Sequence, residues 1–360
     1  MRITCVINTL GGGGAERVMT YLCEGLAARG HHVTLLTLSN SVPDFYTLPA
    51  CVYRERIHLP PFKSVGMMGG FLRLVRMTRA LRRTQPDAVI SFMTVNVLAS
   101  CLLLRVPYIY ADHLDVRQVP FSRMWQILRN YFLGRAERLS VLSQRDYEFI
   151  KAHHPTWKPI IIYNPALPFD KTPLPRPSFM QAEKKHVIAV GRLVDQKGFD
   201  RLLKAWHQIY HDFPQWQLNI IGAGEKEHIL REQIASLGIG ESAKIIAPIK
   251  GLQAVYQHAD LFAMSSRAEG FPMVLLESMA AGVPAVSFNC TGADVIIRSD
   301  IDGVLVPQDD INAFAEALSS LMGNESLRKD LGKRAVEVVD RFSLQKYVDV
   351  YEDLCQQSIQ

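Results

Sequence analysis

Short apolar runs alternate with amphipathic segments along most of the chain. ITCVINTL, HVTLLTL, DAVISFM, YIYAD and LSVLS occupy the first half, and HVIAVG, QLNIIG, KIIA, LFAMSS, AVSF and GVLVP the second. Each run is short and rich in β-branched residues, as strands covered on both faces are. Helix-like segments separate them, so the pattern predicts parallel sheets sandwiched by helices, with functional loops at the strand C-termini. The stretch NPALPFDKTPLPRPSFMQAE, with five prolines, divides two such series and reads as a linker. The expected organisation is a first domain over residues 1–165, a linker over 166–183 and a second domain over 184–342. Both series open alike: ITCVINTL leads through GGGGAERV into a helix, and HVIAVG leads through RLVDQKGFDRLLKAW into another. The implied fold is α/β, two facing Rossmann-like doubly wound domains with a ligand cleft between them.

One segment breaks the apolar pattern. SSRAEGFPMVLLESMAAGVPAV predicts a helix of about ten residues, entered at Pro272 and stopped by Gly282 and Pro284. Val274, Leu275, Leu276, Met279 and Ala280 cover most of its circumference, and Glu277 sits among them. A carboxylate there needs hydrogen-bond donors. A structural partner could supply them, and so could a hydroxyl-rich ligand lying over the helix start beside Glu269.

Composition narrows the class. Hydrophobic residues make up 48% and charged residues 21% of the chain, as in an ordinary globular protein with a sizeable core. Cys5, Cys23, Cys51, Cys101, Cys290 and Cys355 form no C-x-x-C pair or Cys/His cluster, which argues against a disulfide framework and a zinc site. No cleavable leader and no apolar run long enough to span a bilayer is apparent, so a cytoplasmic location is expected. Charge is uneven: residues 1–178 hold 22 Lys+Arg against 11 Asp+Glu, the remainder 18 against 24. The basic half suits an anionic partner. No helix-turn-helix, zinc finger or aromatic RNA-binding signature accompanies it, so nucleic acid is not expected. A phospholipid surface or a phosphorylated substrate fits better.

Two loops carry candidate chemistry. Gly11 to Gly14 precede a helix, where backbone N–H groups face an anion and glycines admit a close ligand. The dinucleotide fingerprint fails there, because Glu16 stands where its last glycine belongs and HVTLLTLSN lacks a terminal acid. In the second series, Arg192 follows a strand and Lys197 lies just before Gly198 and a helix. A planar fork and a point charge together suit a diphosphate. Arg192, Gly222 to Gly224 and Glu269 should line one sheet edge.

GGGGAERV, GRLVDQKG, IIGAGE and SSRAEGFPMVLLESMAAGVP together resemble the GT-B fold retaining glycosyltransferases of the glycosyltransferase 4 (group 1) type. The resemblance spans nearly the whole chain. It implies a donor sugar near Glu269, nucleotide ribose hydroxyls on Glu277, and the diphosphate on Arg192 and Lys197. The backbone running from Gly270 through Phe271 and Pro272 to Met273, at the helix start, would add N–H donors, with Gly222, Gly13 and Gly14 also in the nucleotide-sugar set. His113, in YIYADHLD, matches a cleft-lining histidine near the reacting sugar. The resemblance also implies that the C-terminal helix, about residues 343–360, packs back on the first domain, and that domain closure excludes water. Two features depart from the family. CTGADVII lacks a proline after Cys290 and has Val295 where an acid is usual, with Asp294 as a substitute. Asp300 and Asp302 spell D-x-D, but SDIDGVLV reads as a turn before a strand.

The resemblance implies transfer of a sugar from a nucleotide-diphosphate sugar, a UDP-sugar, with retention, and Arg192 and Lys197 at the diphosphate make a metal or other cofactor unnecessary. The expected acceptor is a polyprenyl-diphosphate-linked saccharide of bacterial surface-polysaccharide assembly. GGFLRLVRMTRALRRTQPD sets Arg73, Arg76, Arg79, Arg82 and Arg83 among apolar residues at near-helical spacing. FSRMWQILRNYFLGRAERL adds Arg123, Arg129, Arg135 and Arg138 with Trp125, Tyr131 and Phe132. These stretches predict docking of the first domain on an anionic cytoplasmic membrane face. Glu16, Arg73, Arg76 and Arg79 form the expected acceptor and membrane set. A nucleotide-sugar epimerase of the same fold, or a non-enzymatic membrane module, are the alternatives.

Overall fold

The computed structural model describes residues 1–39, 43–59, 66–94, 96–112 and 123–359. The chain divides into two compact units, Met1–Pro165 with Leu344–Gln360, and Ala166–Ser343.

The first unit begins with β1 (Arg2–Ile7), whose residues after Arg2 are all buried, and a glycine turn into α1 (Gly14–Ala28). Then come β2 (His32–Thr37), β3 (Tyr53–Arg56), α2 (Gly66–Thr84), β4 (Ala88–Phe92), α3 (Asn96–Leu104) and β5 (Tyr108–Ala111). The series closes with α4 (Arg123–Leu133), β6 (Arg138–Val141), α5 (Gln144–His153) and β7 (Pro159–Ile161). Among the described residues the strands form a seven-stranded sheet in the order β3-β2-β1-β4-β5-β6-β7, and each pairing is parallel. Continuous apolar strands suit a sheet covered on both faces, and Val6, Leu36, Val89, Leu139 and Trp157 share its core. Strand order reverses between β1 and β4, and the glycine loop leaves one of those two strands.

The second unit runs β8 (Lys185–Val190), α6 (Phe199–Ile209), β9 (Trp216–Ile221), α7 (Glu227–Ser236), β10 (Ala243–Ile246), α8 (Gln253–Gln257) and β11 (Leu261–Met264). It continues through α9 (Met273–Ala280), β12 (Ala285–Phe288), α10 (Ala293–Ile296), β13 (Gly303–Val306), α11 (Ile311–Gly323), α12 (Glu325–Ala335) and α13 (Val338–Arg341). Its parallel sheet, six-stranded among the described residues, has the order β10-β9-β8-β11-β12-β13. Trp206, Trp216, Phe288 and Phe314 anchor the core. The order reverses between β8 and β11, and open α/β sheets bind ligands beyond the strand ends at such a switch point.

The proline-rich stretch belongs with this second unit and is fastened to α8. Gln253 Nε2 donates to Asp170 O at 2.8 Å, Gln257 Nε2 to Thr172 O at 2.7 Å, and Leu174 N to Gln257 Oε1 at 2.9 Å.

The last helix, α14 (Leu344–Ile359), groups with the first unit and packs on α1. A Cβ on Gly25 would stand 2.4 Å from Val348 Cγ2, so only glycine lets the two helices approach this closely. Arg29 Nη1 and His31 Nε2, just past the end of α1, reach Glu352 in the middle of α14 at 2.5 and 2.8 Å. No helix among the described residues is long and apolar enough to cross a membrane.

Candidate functional site

The loops after β8 and β11 meet at the switch point of the second sheet. After β8, a 3-10 turn covers Asp195–Lys197, Gly198 takes a left-handed conformation (φ 62°), and α6 begins at Phe199. The helix thus starts directly after Gly198, where the sequence pattern predicts it. A Cβ on Gly198 would lie 2.2 Å from Ser265 O, so the residue must be glycine for both conformation and space.

That close approach lets the loops interlock. Lys197 Nζ donates to Glu269 Oε1 at 2.6 Å, and Ser266 Oγ donates to the same oxygen at 2.5 Å. Glu269 is 8% exposed, so both its charge and its donors are largely shielded from water. Ser265 Oγ donates to Lys197 O at 3.0 Å, Arg267 N to Gln196 O at 2.8 Å, and Gln196 Nε2 to Ala268 O at 2.8 Å. Arg267 adds a two-pronged pair to Asp200 at 2.8 and 2.7 Å, and its Nη1 also donates to Asp195 O. Beneath them the buried Arg201 donates to Ser265 O at 2.6 Å, pairs with Asp309 and lies over the Phe288 ring. Lys197 and Glu269, separated by 72 positions, are thus held in one rigid arrangement.

Arg192 is exposed on the same loop, and among the described residues its guanidinium has no ion-pair partner. Gly222 explains itself by packing: its Cβ would stand 1.9 Å from Gly191 O, so β9 can pass the β8 loop only with glycine there. Gly224 is similarly constrained, since a Cβ there would lie 2.4 Å from Leu193 O.

Pro272 stands just ahead of α9, which runs eight residues from Met273, two shorter than the sequence pattern suggests. Gly282 (φ 80°) ends it: Gly282 N donates to Met279 O and Val283 N to Ser278 O, the paired bonds of a Schellman cap. The helix start has N–H groups ahead of the i→i−4 ladder, beside the loop of the Lys197–Glu269 pair. Phe271 and Met273 are buried, and the Phe271 ring meets Phe342 edge-on at 5.3 Å. Gly292 presses on this loop, since a Cβ there would lie 2.6 Å from Gly270 O. The Cys290 thiol is pushed up to about 12, by burial first and then by the Glu269 charge, which sets it near that carboxylate.

Glu277 is half-buried, and Tyr256 Oη donates to its Oε2 at 3.2 Å. Part of the answer to the charge in an apolar helix is therefore a buried tyrosine on α8. Asp294 Oδ1 accepts from Gly292 N at 2.9 Å and so caps its own turn. Asp302 is fully buried and bonded to Arg298 and Arg341, at 2.7 and 3.1 Å, which makes it a structural anion.

In the first unit, Gly13 is the residue ahead of α1 and Gly14 its first member. Glu16 turns back over them: a Cβ on Gly13 would lie 2.3 Å from Glu16 Oε2, and Thr9 Oγ1 donates to Glu16 Oε1 at 3.3 Å. His113 lies outside the described residues, as do the side chains of Arg123 and Trp125. The residue before His113, Asp112, is buried and paired with Arg129 Nη2 at 3.1 Å. Arg129 is therefore a structural cation, not part of a basic surface. The Arg73, Arg76 and Arg79 stripe is also uneven. Arg73 is half-sunk, and burial lowers its pKa. Arg76 is exposed and donates to His58 O at 2.9 Å, and Arg79 is exposed.

Sequence alone does not single out Tyr256, Arg201 and Arg267. Each acts on a residue at least 20 positions away, where local periodicity carries no signal.

Known proteins resemble the chain in sequence and in fold. Residues 170–338 match the family model for glycosyl transferases group 1, and residues 12–166 that for glycosyltransferase family 4. The amylovoran biosynthesis glycosyltransferase AmsD of Erwinia amylovora is 32% identical over 332 residues, 90% of each chain. The GalNAc-alpha-(1->4)-GalNAc-alpha-(1->3)-diNAcBac-PP-undecaprenol alpha-1,4-N-acetyl-D-galactosaminyltransferase of Campylobacter jejuni is 27% identical over 353 residues, 96% of this chain and 95% of that one. A structure of HepE from Anabaena in complex with UDP and glucose superposes with a TM-score of 0.79 at 20% identity, over 99% of both chains. Two Rossmann-like units, both family models and these relatives together establish that the chain belongs to the group 1 glycosyltransferases of the GT-B fold.

Proposed function

We propose that the protein moves a sugar from a UDP-sugar to a polyprenyl-diphosphate-linked saccharide, with retention, during assembly of a bacterial surface polysaccharide. The observation that carries the donor reading is the Lys197–Glu269 pair, 2.6 Å apart at the β8/β11 switch point, with exposed Arg192 on the same loop. Negative charge builds on the departing diphosphate, so fixed cations and helix N–H groups contribute most where they are already in place. Lys197 is held by Glu269 and Ser265, which removes the need to reorganise it at the moment of reaction. Glu269 lies near the donor sugar, and Glu277 holds the ribose hydroxyls. The departing phosphate helps deprotonate the acceptor hydroxyl on the same face, so no enzyme nucleophile and no metal are needed. HepE is described with UDP and glucose, and the Campylobacter relative is named for a PP-undecaprenol-linked substrate; both support the donor and acceptor classes.

The first unit would take the acceptor at the cytoplasmic face of a membrane. Helices α2, α3 and α4 contain no Asp or Glu, and Phe71, Leu72, Leu103, Ile127 and Tyr131 on them are exposed. Arg76, Arg79, Arg82 and Arg83 are exposed on α2, and each basic residue beside an anionic leaflet contributes on the order of 1 kcal/mol.

The test is incubation with a panel of nucleotide sugars, with and without a lipid-diphosphate-linked saccharide. UDP release that rises with the acceptor, with an α-linked product from an α-linked donor, is expected. Epimerised donor would favour the epimerase reading, and no consumption of any donor would leave only a membrane module.

A further inference from the structure

We infer that Tyr256 is a positioning residue for Glu277 and thereby sets how strongly the protein recognises the ribose of its nucleotide; this rests on the reading of Glu277 as the ribose-binding carboxylate. Tyr256 is 3% exposed, and its hydroxyl stands 3.2 Å from Glu277 Oε2 and 3.4 Å from Val274 O. One hydroxyl proton cannot serve both acceptors fully. An ionised carboxylate is the stronger acceptor, so the proton belongs mainly to Glu277.

A carboxylate offers about four lone-pair sites, enough to accept from the tyrosine and from two vicinal hydroxyls together. A glutamate has three rotatable bonds, and one in a short helix would sample several orientations. Holding one oxygen fixes the plane of the group and the direction of the other. The tyrosine can do this only if α8 is itself immobile, and five residues do not make a stable helix alone. Here the proline-rich strap supplies the support. Gln253 and Gln257 on α8 donate to Asp170 O and Thr172 O, and His258 Nε2 lies 3.1 Å from Leu174 O. The support runs from strap to α8, from Tyr256 to Glu277, across residues far apart in sequence.

The test compares UDP with 2′,3′-dideoxy-UDP by calorimetric titration of full-length wild type, Tyr256→Phe, Glu277→Gln and Lys197→Ala. Wild type should prefer UDP by roughly 10-fold or more, as expected for hydroxyl bonds to a charged acceptor. Tyr256→Phe should shrink that preference by roughly 3- to 10-fold, raise the donor KM and leave kcat near its wild-type value. Lys197→Ala should weaken both ligands alike and keep the ratio. If Glu277→Gln leaves the ratio unchanged, the ribose reading fails and the inference falls with it. If Glu277→Gln collapses the ratio but Tyr256→Phe retains it, the ribose reading stands and the positioning role is overturned. A lower melting temperature for Tyr256→Phe with an intact ratio likewise means a structural tyrosine.

Discussion

Lys197 Nζ and Glu269 Oε1 are 2.6 Å apart in a largely buried pair, although 72 residues separate them in the chain. The pair carries no net charge, so the electrostatics of the loop depend on both members at once. Removing the lysine leaves a shielded carboxylate uncompensated where the diphosphate is proposed to sit.

Lys197→Ala should therefore lower kcat/KM by about 10²- to 10³-fold or more, as loss of one preorganised donor does. It should also lower stability, because breaking a buried pair from one side is costly. Arg192→Ala should lower kcat/KM without moving the melting temperature, since that guanidinium is exposed and has no ion-pair partner among the described residues. Steady-state kinetics and thermal melts on both variants check the contrast, and equal melting temperatures would contradict it.

Adding Glu269→Gln to Lys197→Ala should recover part of the lost UDP affinity, because it removes the orphaned negative charge. A double variant that binds UDP no better than Lys197→Ala would count against the coupling.

Gly198→Ala should cost more stability than Gly282→Ala. Both residues have positive φ, but a Cβ on Gly198 meets Ser265 O at 2.2 Å, while the nearest atom to one on Gly282 is 3.6 Å away. Backbone strain alone costs about 1–2 kcal/mol, and the clash adds to it only at Gly198. Urea unfolding monitored on both variants would show equal losses if the clash relaxes freely.

Acid should loosen α14. The Arg29 guanidinium first, and His31 second, hold the Glu352 carboxyl below the usual range. A depressed carboxyl contributes stability that is complete above its unfolded value of about 4.3 and disappears as pH falls through the lower folded value. Wild type should thus lose more stability than Glu352→Gln between about pH 6 and pH 3. Parallel pH curves would show that the contact contributes nothing.

Excess EDTA should leave transfer intact, since fixed cations rather than a metal are proposed to neutralise the diphosphate. Loss of activity restored by Mg²⁺ or Mn²⁺ would contradict it.

The repeating β/α rhythm is legible in the sequence because parallel strands buried on both faces read as continuous apolar runs. Strands β8 to β13 each correspond to such a run. Strands β3 and β7 do not: YRER is polar, PII is three residues with a proline, and both lie at the sheet edges. One side of an edge strand meets water, which admits a short or polar segment such as these two, while β10 and β13 at the edges of the second sheet stay largely apolar. At the site, residues with a local signal are readable: a cation before a glycine and a helix, and an acid out of place in an apolar helix. Tyr256 and Arg267 have none, because a tyrosine in VYQHAD and an arginine in SSRAEG look like ordinary core and surface residues until the fold brings them to Glu277 and Asp200.

Affinity for UDP against uridine tests the central claim most directly, since the two ligands differ only in the diphosphate that Lys197, Arg192 and the α9 start are proposed to hold. Calorimetric titration of wild type should give UDP binding at least about 100-fold tighter, as two charge-assisted contacts imply, and Lys197→Ala should remove most of that gap. Equal affinity for UDP and uridine in wild type, or a gap that survives Lys197→Ala intact, would contradict the diphosphate site.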